Sequence, residues 1–213
     1  MLRIAFIKLF LLAFFCAKGQ IEYTLSLRSF DSDGLALAFP NFESENDMPG
    51  LGAQLNVSYL FPLQQINLKA GPELGFGHYQ RDYEASVKSS HSNLSFNLTA
   101  VIYPFDLSGK CNCPTFSKNG DAFTKGFFLQ FSPGFWLQRN HYKLENTTQV
   151  SPGHTWLLGG GIGLELGLSE HLTISPTLSY FHGWETHEAS AQGKGAQDLL
   201  FKQFGAGIRI GFP

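Results

Sequence analysis

Apolar and polar residues alternate along this chain in eight separate runs of about ten residues. In 51–61 the odd positions Leu51, Ala53, Leu55, Val57, Tyr59 and Phe61 are apolar, and Gln54, Asn56 and Ser58 lie between them. In 66–78 the even positions Ile66, Leu68, Ala70, Pro72, Leu74 and Phe76 alternate with Lys69, Glu73 and glycines. The remaining runs cover 21–28, 92–104, 127–138, 156–168, 172–180 and 201–212. A period of two residues predicts β-strands with one apolar and one polar face. Eight such strands predict an all-β fold, an eight-stranded antiparallel up-and-down transmembrane β-barrel.

The charges decide which face is inside. Glu22, Arg28, Lys69, Glu73, Glu165 and Arg209 all fall on the polar parity, three of each sign. Buried charges need partners, so a balanced set predicts a charge network across a narrow lumen. The apolar faces, with Tyr and Trp at their ends, are expected to meet lipid. A soluble lipocalin-like barrel is the rival fold, and it would invert the faces.

Connections follow from the strands. With both termini periplasmic, 31–49, 80–90, 141–153 and 186–198 become long polar external loops. The turns near Pro62 and Ser169 become tight periplasmic ones. The stretch 105–124 breaks that pattern, being long and predicted periplasmic. Pro72, Pro133 and Pro176 recur in the third, fifth and seventh runs on the lipid-facing parity. Proline removes a ladder donor, so a shared bulge or bend is expected there.

Composition narrows the class. Residues 1–19 read as a signal peptide: Arg3 and Lys8 precede an apolar run, and Ala17 and Gly19 are small residues before Gln20. Cys16 raises a lipoprotein alternative, which the bulky Phe15 before it opposes. The barrel domain is then 20–213. Removing the signal leaves 12 of the 15 basic residues against 17 acidic ones, a net charge of −5. No basic patch of the kind that binds nucleic acid survives. Charged residues make up only 15% of the chain, well below the roughly 25% of soluble domains.

The strands Ala70-Gly-Pro-Glu-Leu-Gly-Phe76, Phe131-Ser-Pro-Gly-Phe-Trp-Leu137 and Ile174-Ser-Pro-Thr-Leu-Ser-Tyr180, the eight runs and the terminal strand Gly205-Ala-Gly-Ile-Arg-Ile-Gly-Phe212 resemble the PorT-like outer-membrane β-barrel protein family of Bacteroidota. The resemblance spans the mature chain and implies insertion in the cell outer membrane after export. It carries over no catalytic residue or cofactor. The terminal strand is similar to the signal read by the barrel-assembly machinery, although Pro213 follows the aromatic residue. Some members of that family serve protein secretion.

Few residues offer chemistry. Cys111 and Cys113 are the only cysteines after the signal. In an oxidising compartment they form a local or disulfide-bonded turn; a redox, metal or partner-docking role is the alternative. This turn is the candidate contact for a periplasmic or secretion-system protein. His78, His91, His141, His154, His182 and His187 fall near the external rim. Amphipathic rings suit an interface, and metal or haem capture is the sharper alternative. Ser179, His182 and Glu185 share one strand but differ in parity, so they build no triad. Lumen glycines leave room for a small apolar ligand beside Phe128, Trp136, Phe181 and Phe201. The expectation is therefore a non-enzymatic barrel with a filled lumen, in a structural, adhesion or secretion-accessory role. A carrier or conduit for a small hydrophobic ligand is the alternative, followed by an outer-membrane enzyme.

Overall fold

The computed structural model describes residues 19–32, 50–63, 67–83, 87–105, 126–144, 147–187 and 198–212. Nine strand segments run in order: β1 (Gln20–Ser32), β2 (Gly50–Leu63), β3 (Leu68–Tyr83), β4 (Val87–Ile102), β5 (Phe127–Leu144), β6 (Thr147–Leu164), β7 (Leu166–Ser169), β8 (Leu172–His187) and β9 (Asp198–Phe212). Apart from β6 and β7, consecutive segments pair antiparallel, and β1 pairs with β9 from Ile21↔Phe212 to Ser32↔Phe201. Segments β6 and β7 both pair with β8 and form one strand interrupted at Glu165. The result is a closed eight-stranded barrel with no free edge.

The faces are those of a membrane barrel. Among the described residues, 25 buried side chains are polar or charged and 11 are hydrophobic, while 30 large hydrophobic side chains are exposed. Water selects the reverse distribution. Leu25, Leu27, Leu98 and Trp156 are each at least 60% exposed. The lipocalin-like alternative, with Phe and Leu inward, does not fit this arrangement.

Two expectations need correction. The stretches 80–90 and 141–153 are not long loops. Pairing of β3 with β4 continues to Tyr83↔Val87, and that of β5 with β6 to Leu144↔Thr147. Beyond Leu137 the strand β5 continues for seven residues, about 24 Å of extra length. The termini of the barrel, Gln20 and Phe212, lie at the opposite end. We call these the far end and the terminal end.

The second correction concerns the prolines. No register shift accompanies Pro72, Pro133 or Pro176, so none marks a bulge. Instead, each leaves a gap in the ladder to the preceding strand. Pairing skips from Ser58↔Glu73 to Phe61↔Ala70, from Asn97↔Gly134 to Ala100↔Phe131, and from Gly163↔Thr177 to Leu166↔Ile174. Proline lacks the N–H that would bridge there. The third gap is what separates β6 from β7. The register shift in this region falls between Gly167 and Ser169, beside the tight turn at Glu170 and His171.

Candidate functional site

The lumen holds two different fillings. Near the terminal end, Lys69 Nζ lies 2.9 Å from Glu165 Oε2 and 4.0 Å from Glu22 Oε1. Arg209 Nη1 lies 3.3 Å from Glu22 Oε2, a charge contact without hydrogen-bond alignment. Tyr103 donates to Glu165 Oε2 at 2.6 Å, and Arg209 donates to Gln130 Oε1. Lys69 sits over the Tyr103 ring and Arg209 over the Phe128 ring. Two cations and two carboxylates thus cancel inside one layer. Gln130 also donates to Ser132, whose hydroxyl meets Thr99, so polar contact runs from strand to strand.

Four of the six charged residues read from the sequence are therefore in one cluster. The other two are held differently. Glu73 accepts hydrogen bonds from Asn56, Ser58 and Asn97 at 2.9–3.3 Å. Three neutral donors supply the hydrogen bonds of this buried carboxylate, and Arg28 acts on it only through space. Arg28 donates to Ser26 and Gln203 at 2.9 and 2.8 Å. Its guanidinium lies 4.7 Å over the Phe181 ring and 6.0 Å over Trp136. A guanidinium, more weakly hydrated than an ammonium, suits such a buried place over aromatic faces.

Toward the far end the filling becomes aromatic. Phe30, Tyr79, Trp136, Leu157, Phe181 and Phe201 form one buried cluster. Tyr79 joins it to the polar layer by donating to Gln54 Oε1 at 2.6 Å. Some of the lumen glycines make room for aromatic rings. A Cβ on Gly159 would lie 2.2 Å from the Phe181 ring, and one on Gly163 would lie 2.3 Å from Phe128. The four aromatics expected to line one cavity are split: Phe128 packs with Leu60, Val101 and Tyr103 near the terminal end, and the other three belong to the far cluster. A cavity of about 10 Å³ remains beside Trp136, Asn93 and His91. That is room for about one water.

The other predicted residues do not converge. His91 is buried in the lumen on Asn140 and Ser89. His78, His141, His154 and His182 follow the outward parity, with His154 against Phe135 and His182 against Trp184. Among the described residues no three metal-binding side chains gather. Ser179 points inward and His182 outward. The side chains of Glu185 and His187, together with Cys111, Cys113 and the signal segment 1–18, lie outside the described residues. Sequence reasoning passed over Tyr103, which caps Glu165. Its odd position in the fourth run is the signal that puts it on the polar parity.

The fold and lumen define a transmembrane-type β-barrel whose interior is neutralised and packed. No protein-family model matches the chain, and no curated protein matches it. Among solved structures, the fold is similar to Neisserial surface protein A (9% identity, TM-score 0.47, covering 90% of this chain and 95% of that one). It is also similar to Ail, the attachment invasion locus protein of Yersinia pestis (12%, 0.46, 91% and 97%). A third is the outer membrane protein OprG from Pseudomonas aeruginosa (12%, 0.43, 92% and 95%).

Proposed function

We propose that this chain is a non-enzymatic outer-membrane barrel with a plugged lumen, acting from its outer wall, its far-end rim and its connections. The packed lumen carries this reading. Charge neutrality at one level and a dense aromatic cluster at another leave a solute no continuous path. The export-type N-terminal segment and the terminal strand Gly205 to Phe212 support delivery to the outer membrane by the barrel-assembly machinery. The three proline strands support kinship with PorT-like barrels. Outer-membrane lipid is the first partner, and a net charge of −5 for the mature chain gives nucleic acid no purchase.

The test is reconstitution of the full mature chain in planar bilayers, with density separation of membranes from producing cells. The chain should migrate as a heat-modifiable band in the outer-membrane fraction and pass no ionic current. Steady single-channel conductance would overturn the plugged-lumen reading. Recovery as a soluble periplasmic protein would overturn the membrane reading.

The connection carrying Cys111 and Cys113 is proposed as the contact for a periplasmic or secretion-system protein, in an adhesion, structural or secretion-accessory role. Pull-down with wild type and with Cys111→Ser/Cys113→Ser tests it. Identical partners in both would remove the cysteines from that role.

A further inference from the structure

We infer that the outer wall binds a phosphorylated lipid, with its chains in a groove over β9, β1 and β2 and its phosphates on a basic stripe over β4 and β5. The inference rests on the membrane-barrel reading. It adds a site to the face that bulk lipid merely wets.

The basic stripe comes from the register. On β4 and β5 the outward positions are Lys88, Ser90 and Ser92, and Arg139, His141 and Lys143. They pair across the strands as Lys88↔Lys143, Ser90↔His141 and Ser92↔Arg139. Like charges placed directly opposite are destabilising in themselves. Lys88, Arg139 and Lys143 are exposed, and none is ion-paired among the described residues. Asp82 stands in register with Lys88, but no carboxylate stands in register with Arg139, His141 or Lys143. The stripe begins one outward position above Leu137, where the apolar wall ends. That is headgroup height, where an anionic lipid would relieve the repulsion.

The groove is a separate observation. A depression of about 600 Å³ opens on the outer wall among Leu27, Leu51, Ala53, Phe204, Ala206 and His78. Binding pockets occupy roughly 300–1,000 Å³. Small side chains at Ala53 and Ala206 flank Leu27 across the strands, so the wall is hollowed there. The groove and the stripe share one cross-strand row: Ala206, Leu27, Ala53, His78, Ser92, Arg139. His78 Nδ1 meets Ser92 Oγ at 3.0 Å and joins the two halves. From Ala53 to Arg139 the row crosses three strand spacings, about 14 Å. Strands in such barrels tilt, so a row climbs the wall as it goes round. The row is apolar at one end and cationic at the other, as an amphiphile with anionic headgroups requires.

The experiment folds the full mature chain into nanodiscs of phosphatidylcholine doped with either diphosphoryl lipid A or its dephosphorylated counterpart. Retained lipids are counted by native mass spectrometry. Wild type should retain the diphosphorylated lipid preferentially, with the preference falling as salt rises. Lys88→Gln/Arg139→Gln/Lys143→Gln should weaken retention about a hundredfold, at about fivefold per cation. Lys202→Gln removes one cation outside the stripe, opposite Asp31 on β1, and should weaken retention by no more than about fivefold. Ala53→Phe/Ala206→Phe should lower retention of both lipids by filling the groove. Heat-modifiable migration checks that each variant is folded. A folded wild type without preference, or a triple variant that keeps it, overturns the inference and leaves the barrel reading standing. A dimer that retains no lipid overturns it in favour of a second copy. A chain that enters no bilayer overturns the barrel reading itself.

Discussion

Lys69→Met tests whether the charge layer at the terminal end stabilises the barrel. Lys69 touches two carboxylates, Glu165 at 2.9 Å and Glu22 at 4.0 Å, and its side chain is only 15% exposed. Removing it leaves two acids facing Arg209 alone. Breaking a buried pair by deleting one partner costs about 3–5 kcal/mol, because the remaining charge stays buried. Glu165→Gln is milder. Its amide oxygen can still accept from Tyr103, and Lys69 keeps Glu22. The loss is then that of one charged hydrogen bond, about 1.5–3 kcal/mol. The double variant restores neutrality, with Glu22 and Arg209 left as a pair. It should be less destabilised than the sum of the singles, with a coupling of about 0.5–3 kcal/mol, and no worse than Lys69→Met. The assay is urea unfolding of the full chain in detergent micelles, read by loss of the heat-modifiable band. A Lys69→Met barrel within about 1 kcal/mol of wild type would refute the reasoning. So would strictly additive singles.

Three further outcomes follow from the faces and the packing. Trp156 and Trp184 are 63% and 49% exposed whereas Trp136 is fully buried, so brominated acyl chains should quench the first two in single-Trp variants and spare Trp136; equal quenching would contradict the face assignment. Leu98→Arg, at the middle outward position of the apolar stretch on β4, should cost about 2–4 kcal/mol, against roughly 0–1 for Val150→Arg beyond the band, both measured as shifts in unfolding free energy in vesicles. Gly159→Ala places a methyl against the Phe181 ring and should cost about 1–3 kcal/mol in the same unfolding assay, with Phe181→Leu recovering part of the loss; an unperturbed Gly159→Ala would mean that the ring has room to move.

The faces were legible in the sequence because lipid and lumen impose opposite choices on adjacent residues. Along Leu94 to Ala100 that conflict writes a strict alternation. It disappears at Arg139-Asn-His-Tyr-Lys143, where the strand rises out of lipid and both faces meet water or polar neighbours. Those residues still pair as strand, but no apolar period marks them, so they read as loop. The prolines were legible as a recurring device and misread as to its kind. A bulge needs an extra residue on one strand, whereas a missing N–H only removes a bridge. The charge network was legible as a balance of signs. Its pairing was not, because Lys69 and Glu165 are 96 residues apart and meet only when the barrel closes. Glu73 shows the limit most clearly: its partners are Asn56, Ser58 and Asn97, and no count of charges points to neutral donors.

The corrected strand lengths also change the argument for orientation. Loop length no longer separates the two ends, since two of the connections read as long external loops have become hairpins. Strand overhang separates them instead. At the terminal end the apolar wall reaches the last residues of the strands, with Tyr23 against Phe212 and Phe105 against Phe127. At the far end β5 and β6 continue past Leu137 and Trp156 into polar sequence. A transmembrane strand needs only about 9–11 residues to cross, and β5 and β6 have 18 each. Outer-membrane barrels place their longer projections outside the cell, so the overhang points the far end outward. On the outer-membrane reading proposed above, the same step assigns Lys88, Arg139 and Lys143 to the outer leaflet and the connection bearing Cys111 and Cys113 to the periplasmic side. The proposed orientation thus gives the exposed cations Lys88, Arg139 and Lys143 an anionic surface to meet.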